Sequence, residues 1–379
     1  ELAGRIRDRF GLSAGRVQTP VLGWIVRRAD EYMHSWRKML VIVIKENMSI
    51  VVREDEANLE EVKRAVDSEG VKVVDVRSED REINPQPPFT TDSLLAEATR
   101  YLRASADYVM RLAQDLFEAG LITYHRTDST YVSDKGLSIA KEYINDNLDP
   151  SLYHPRKWGS PGAHECIRPT RPLDLAGLSE ALKFSSAAAR LTDARMGLYS
   201  LIFNRFIASQ MAPAKAEWRS VTLELGPTRK VLEGIAGYRE RGFTVVHQPR
   251  LPEAPPFNPG ETIKISFSVV KYGPTVYLYR QSDIISMMRE RGIGRPSTYA
   301  KILQTLLERR YAYVGPGGGL TPSKKGIMVY EHLASKFPNI ISEERTRQLE
   351  EKMDHVERGE ADYQSLLREL YAEISSLPR

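Results

Sequence analysis

Tyr124 and Arg126 stand two apart in Leu121-Ile-Thr-Tyr-His-Arg-Thr-Asp-Ser129, a run that passes from strand-forming to turn-forming residues. Leu121, Ile122, Thr123 and Tyr124 suit a pleated, half-buried surface, and Thr127, Asp128 and Ser129 suit a turn or cap. Residues two apart on a strand share a face, so the spacing predicts that Tyr124 and Arg126 project together. A phenol titrates near ~10 and is a weak nucleophile at neutral pH. A guanidinium beside it stabilises phenolate character and grips a phosphate through two parallel hydrogen bonds. That combination suits in-line attack on a phosphodiester. The same spacing also fits a strand tyrosine at the edge of a core beside an unrelated surface arginine, and the pair alone does not choose between them.

Other segments carry residues of the same chemical kind. Ser13-Ala-Gly-Arg-Val-Gln-Thr-Pro20 lies near the N-terminus, and Pro87-Pro-Phe-Thr-Thr91 ends a proline-rich linker. Ala163-His-Glu-Cys-Ile-Arg-Pro-Thr170 and Gly292-Ile-Gly-Arg-Pro-Ser-Thr-Tyr299 follow. His164 and Glu165 do not open a zinc motif, because position 168 is Arg168 and the surrounding prolines exclude a long helix. At Arg295, Ser297 and Thr298 a helix is expected to begin, with Pro296 at its first position. Backbone N–H groups there, a guanidinium and hydroxyls make a phosphate seat; plain helix capping is the alternative. Gly315-Pro-Gly-Gly-Gly319 is expected to be a hairpin tip, since no Gly-Lys-Ser/Thr follows it.

The elements that must hold these groups follow from pattern and breakers. Strands are predicted at Met39–Ile44, Ser49–Val52, Val71–Val76, Ala216–Leu225, Phe243–Val246, Thr262–Phe267 and Val276–Tyr279, with an exposed charged helix over 55–67. Asn84–Phe89 holds three prolines and reads as an extended linker. Two helices are expected over 91–119, with Ser105 as an N-cap and Gly120 as a stop, then a helix over 134–146 capped by Ser133. A proline-rich loop spans 150–172, and helical patterning returns over 180–210 and from about 282 onward. Leu112–Glu118 echoes Ile302–Glu308, and helix, helix, strand is the outline of a winged-helix unit; chance likeness of two amphipathic helices explains the echo equally well.

Composition bounds the setting. The 379 residues carry 41% hydrophobic and 27% charged residues, an ordinary globular balance, and no apolar run approaches a membrane span. One cysteine, Cys166, excludes an internal disulfide and a cysteine-rich zinc site, and a reducing, cytoplasmic compartment is expected. The net charge of +4 is unevenly spread: residues 1–40 hold eight Lys/Arg against four acids, and 286–330 hold eight against two. Residues 340–379 hold ten acids against six bases. Separated basic zones suit a polyanion, although a solvated charged surface gives the same counts.

The five motifs, in this order, resemble the signature set of the type IA DNA topoisomerases, and the resemblance covers essentially the whole chain. Within that family the chain is most similar to the topoisomerase half of reverse gyrases, notably in Leu12–Trp24 and in His125 after the tyrosine. The resemblance implies that Tyr124 attacks one DNA strand to leave a 5′-phosphotyrosine and a free 3′-hydroxyl. It implies that Arg126 stabilises the scissile phosphate, and that His164 helps hold the phosphate or the departing 3′-oxygen. It places Arg16, Gln18, Arg168, Arg295, Ser297 and Thr298 against DNA, above all single-stranded segments. Asp128 and Ser129 are expected to brace the turn rather than react.

The fold implied is mixed α and β, mainly helical: a toroidal core with winged-helix-like modules and a β-rich arch. The division expected is 1–37 and 277–379 as a DNA-contacting helical domain, 38–84 and 208–276 as the arch, and 85–207 as the helical domain carrying Tyr124. The resemblance also implies Mg2+, held by carboxylates of a metal-binding (Toprim) domain. The sequence offers no Asp-x-Asp to replace that domain and no Walker A loop, so ATP would act only through a separate helicase-like part. Alone, the chain is expected not to relax supercoiled DNA. Tyrosine recombinases and type IB enzymes are the rival catalytic class, but they place the tyrosine late in the chain. A non-catalytic winged-helix protein would explain the basic zones but not the motif set.

Overall fold

The computed structural model describes residues 15–45, 48–182 and 192–375. Leu12, Ser13 and Ala14 of the first motif, and residues 183–191 within the expected helical stretch, lie outside the described residues. Two antiparallel sheets are built from strands on either side of a long helical insertion. β1 (Trp36–Lys45) is central to the first, flanked by β2 (Met48–Arg53) and β7 (Phe267–Pro274), with Val41 opposite both Val51 and Val269. The second runs β5 (Thr228–Glu240), β4 (Ala214–Leu225), β3 (Val71–Ile83), β6 (Thr262–Ile263). β3 and β4 carry the chain into and out of the insertion and pair along most of their length, from Lys72 opposite Glu224 to Ile83 opposite Ala214.

Between the sheets and α2 (Leu59–Glu69) lies a separate core of Leu40, Ile42, Ile50, Val52, Val62, Val66, Val221 and Leu223. The charged stretch expected to be an exposed helix therefore buries one face. Leu59, Val62 and Val66 recur at helical spacing, and Asn58 caps the start by accepting from the Glu60 and Glu61 N–H groups.

Other strand expectations need correction. Gly242–Val245 is a 3₁₀ turn, because Gly242 takes φ +47° where a side chain would strike the Pro213 carbonyl, and Phe243 is buried as an anchor. Of the next predicted strand, Thr262 and Ile263 form β6 and Phe267 opens the longer β7, with 264–266 between them outside any strand. Val276–Tyr279 forms no strand, since Arg28 bonds the Tyr277 carbonyl and lies over the Tyr279 ring, drawing this segment onto the first helix. β5 was not anticipated, because its edge position leaves glycines and charges along it without a clear alternation.

The helices other than α2 and the last two share one continuous core. α1 (Gln18–His34) contributes Val21, Leu22, Trp24 and Ile25; α3 (Thr91–Tyr101) and α4 (Ala106–Glu118) contribute Leu95, Val109 and Leu112. α5 (Asp134–Asn147), α6 (Leu175–Leu182) and α7 (Asp193–Ser209) follow, with Tyr199, Phe203 and Phe206 buried. α8 (Gln281–Glu290), α9 (Tyr299–Glu308) and the hairpin of β8 (Ala312–Val314) and β9 (Leu320–Pro322) give a winged-helix outline, with 315–319 at the hairpin tip. α10 (Lys324–Lys336), α11 (Glu343–Glu357) and α12 (Tyr363–Ser375) follow. α3 and α8 are pinned by Arg289 to Asp92 at 2.6 Å and Arg100 to Asp283 at 2.8 Å. Among the described residues no helix is long and apolar enough to cross a membrane.

Candidate active site

The loop bearing Tyr124 is fixed by its backbone. α4 begins at Ser105, whose hydroxyl accepts from the Tyr108 N–H, and ends at Gly120 with φ +67°, as the turn chemistry predicts. Beyond it the expected strand is reduced to a single bridge, Ile122 opposite Pro169. Pro169 has no N–H to extend a ladder, and the Thr123 side chain takes over that work. Its hydroxyl donates to the Cys166 carbonyl at 2.7 Å and accepts from the Arg168 N–H at 3.0 Å. On the other side, the Thr127 N–H donates to the Thr91 hydroxyl at 2.8 Å, and the Thr91 N–H donates to the Thr127 carbonyl at 2.8 Å. The segments Pro87–Thr91 and Ala163–Thr170 thus grip the tyrosine loop from both sides.

Although no ladder forms, side chains still alternate. Tyr124, Arg126 and Asp128 are exposed, and His125 and Thr127 are buried. Tyr124 is 37% exposed, with its ring set edge-on to Phe117 at 5.4 Å and tilted against His164 at 5.2 Å. Neither the Tyr124 hydroxyl nor the exposed Arg126 and His164 side chains make a hydrogen bond or ion pair among the described residues. A tyrosine oxygen, a guanidinium and an imidazole are therefore open to solvent on one rigid loop cluster. By contrast, His125 is fully buried and neither ring nitrogen has a hydrogen-bond partner among the described residues. Burial, aided by the Arg126 charge, pushes this imidazole down to about 4, so it is neutral at physiological pH.

The Arg168 side chain is buried. Its Nε and Nη2 donate to the two Glu165 oxygens at 2.9 and 2.7 Å, and its Nη1 donates to the Pro169 carbonyl at 2.8 Å. Ser133, the cap of α5, donates to Glu165 at 2.8 Å, so the pair also ties α5 to the loop. Gly136 is needed here: a Cβ would lie 2.9 Å from Arg168 Nε. This geometry makes Arg168 a brace for the backbone that holds Thr123.

A second cluster gathers the remaining motif residues. Arg16 donates to Glu350 at 2.8 Å, and Gln18 accepts from Arg309 at 2.5 Å. Arg295 donates to Asp354 at 2.6 Å and to the Glu350 carbonyl at 3.2 Å. The helix expected to start at Pro296 starts at Tyr299 instead. The Thr298 hydroxyl accepts from the Arg295 N–H at 2.9 Å, closing a turn over 295–298. Ser297 and Thr298 are exposed on that turn. Burial pushes the Tyr299 phenol up to about 12, which leaves it protonated. A cavity of about 490 Å³ is lined by Asp128 of the Tyr124 loop together with Arg289, Arg295, Tyr299, Asp354 and Arg358. It joins the two clusters. Arg289, Glu350 and Asp354 escaped the sequence reading. Thr346, Glu350 and Asp354 recur at four-residue spacing, and that stripe in an acidic helix was the available signal.

An exposed phenol on one loop cluster with a guanidinium and an imidazole that have no partner among the described residues, meeting a basic turn, suits phosphodiester chemistry. Comparison with known proteins agrees. The DNA topoisomerase family model matches residues 2–368. Reverse gyrase of Pyrococcus furiosus is 45% identical over 97% of the chain, and reverse gyrase 1 of Aquifex aeolicus is 42% identical over 98%. The chain spans 30% and 32% of the lengths of those relatives. Full-length topoisomerase I from Thermotoga maritima superposes with a TM-score of 0.78 at 29% identity, over 99% of this chain and 65% of that one. The chain belongs to the type IA DNA topoisomerase family.

Proposed function

We propose that the chain supplies the nucleophile and much of the DNA-contacting surface for breaking and rejoining one DNA strand. The Tyr124 oxygen attacks phosphorus as the phenol loses its proton. The bond from phosphorus to the 3′-oxygen breaks, the 5′-phosphate stays on the tyrosine, and the 3′-oxygen takes up a proton. Arg126 neutralises charge that builds on the phosphate in the transition state, and His164 lies where it can meet the phosphate or the leaving oxygen. Resealing is the reverse step and needs no external energy, because the phosphotyrosine keeps the phosphodiester bond energy. The observation that carries this reading is the half-exposed Tyr124, its oxygen without a partner among the described residues, on a backbone gripped by Thr91 and by 166–170.

In the longer protein, the relatives favour the topoisomerase part of a reverse gyrase, which would introduce positive supercoils with ATP. The structural likeness to a topoisomerase I supports relaxation as the second reading. The family fits a Mg2+ dependence, yet among the described residues no three His, Cys, Asp or Glu side chains gather to hold a metal. As the family resemblance implies, we assign the metal to carboxylates of a separate domain and ATP to a helicase-like part, and no step runs through either. Residues 38–84 and 208–276 act as the arch, 85–207 as the module that lifts, and β3 and β4 as the crossing between them, opening a ring for DNA in the cytoplasm.

Tyr124→Phe tests the reading, in the chain joined to a metal-binding domain. Denaturing gels should show a covalent protein–DNA adduct with the native chain and none with the variant, while single-strand affinity stays within about twofold, because only one hydroxyl is lost. An adduct formed by the phenylalanine variant would move the nucleophile elsewhere.

A further inference from the structure

The two arginines offered to DNA by separate motifs, Arg16 and Arg295, converge on one helix, α11. Arg16 Nη2 lies 2.8 Å from Glu350, and Arg295 Nη2 lies 3.5 Å from the same carboxylate and 2.6 Å from Asp354. Two cations face two carboxylates, so the cluster is neutral as it stands. The carboxylates differ in one respect that matters. The Glu350 side chain is 7% exposed, whereas that of Asp354 is 41% exposed and borders the cavity shared with Asp128.

That difference divides their roles. Glu350 cannot leave without stranding a buried charge, so it fixes both guanidiniums in place. Thr346, one turn earlier, helps by approaching the Arg16 carbonyl at 3.3 Å. Asp354 can rotate into water at little cost. One of its oxygens takes the Arg295 Nη2 donor at 2.6 Å, as a non-bridging phosphate oxygen would. We propose that Asp354 is a phosphate stand-in on Arg295, displaced when a DNA strand enters, and that Glu350 is the positioning residue for both arginines. This rests on the reading of Arg16 and Arg295 as DNA contacts.

Exchange of one anion for another has a measurable signature. A phosphate that pairs with a free arginine releases condensed counterions from the strand. A phosphate that first evicts a carboxylate leaves that carboxylate to recruit a cation, and the two cancel in part. Asp354 therefore weakens single-strand binding and flattens its salt dependence, which raises the threshold for ordinary anions as well as for DNA.

The test is fluorescence anisotropy of a labelled single-stranded oligonucleotide across a KCl series, with Asp354→Asn, Glu350→Gln, Arg295→Ala and the Asp354→Asn/Arg295→Ala double variant. Asp354→Asn should tighten binding about two- to fivefold, the range an exposed ion pair commands. It should steepen the slope of log affinity against log salt by about 0.7. Both changes should vanish in the Arg295→Ala background. Glu350→Gln should weaken binding, with a thermal melt reporting whether it folds; the Asp354 arms decide the matter if it does not. Weaker or unchanged binding by Asp354→Asn, while Arg295→Ala weakens binding, would overturn the stand-in and leave the DNA contact standing. Tightening that persists without Arg295 would overturn it too, as a general charge effect. No effect of Arg295→Ala on the native chain would instead remove the DNA contact itself.

Discussion

The Tyr124 loop leaves Arg126 exposed and without a partner among the described residues, whereas the turn at 292–299 and the segment before α1 deliver Arg295 and Arg16 already bound to carboxylates of α11. The two regions solve rigidity differently. Around Tyr124 it comes from backbone hydrogen bonds through Thr91, Thr123 and the 166–170 segment, so the side chains are spared for reaction. Around Arg295 it comes from the side-chain ion pairs themselves. On the roles proposed, Arg126, acting on a transition state, is kept free of ground-state partners, and Arg295, holding a strand, exchanges partners at small cost.

Breaking the reactive side should show the largest effect. Arg126→Ala should slow strand cleavage about a hundredfold or more, on the order of 3 kcal/mol, while single-strand affinity changes little. Single-turnover cleavage and anisotropy on the same oligonucleotide separate the two quantities. Equal losses in both would make Arg126 an ordinary phosphate contact like Arg295, and the contrast would collapse.

Arg168 sharpens the comparison from the inside. Arg168→Ala should cost roughly 3 kcal/mol of stability, because it strands the Glu165 carboxylate beside α5. Chemical denaturation should register that loss. A variant with native stability and a purely DNA-binding defect would mean that Arg168 faces the strand after all.

The smallest effect concerns His125 and pH. Its imidazole titrates near 4 in the fold against about 6.5 unfolded, so the unfolded chain binds the extra proton between those values. Stability from this group is complete above about 6.5 and falls as pH drops toward 4, by ~2 kcal/mol at pH 4.5. His125→Met should remove that slope and leave neutral-pH stability equal or higher, because two unpartnered ring nitrogens disappear. An unchanged slope in denaturation midpoints across this window would assign it to other groups.

Much of this was legible beforehand where local chemistry decides. Ser105, Ser133 and Gly120 cap and stop helices where turn chemistry puts them, and the glycine-rich tip at 315–319 closes a hairpin. The alternation that exposes Tyr124 with Arg126 could be read too, although the strand expected to produce it is a loop. What could not be read depends on distant partners. Nothing local to Arg168 says that Glu165 and Ser133 will enclose it, and Val276–Tyr279 has a strand pattern that Arg28 overrides. Glu350 and Asp354 of α11 read as a solvated face because Arg295 and Arg16 lie 55 or more residues away.

The most direct test of the central claim is the polarity of the covalent complex. A single-stranded oligonucleotide labelled at either its 5′ or its 3′ end is cleaved by the chain joined to a metal-binding domain and trapped with denaturant. If Tyr124 attacks as proposed, the 3′-labelled fragment migrates with the protein and the 5′-labelled fragment runs free with a 3′-hydroxyl. Retention of the 5′-labelled fragment would mean a 3′-phosphotyrosine and would contradict the account at its centre.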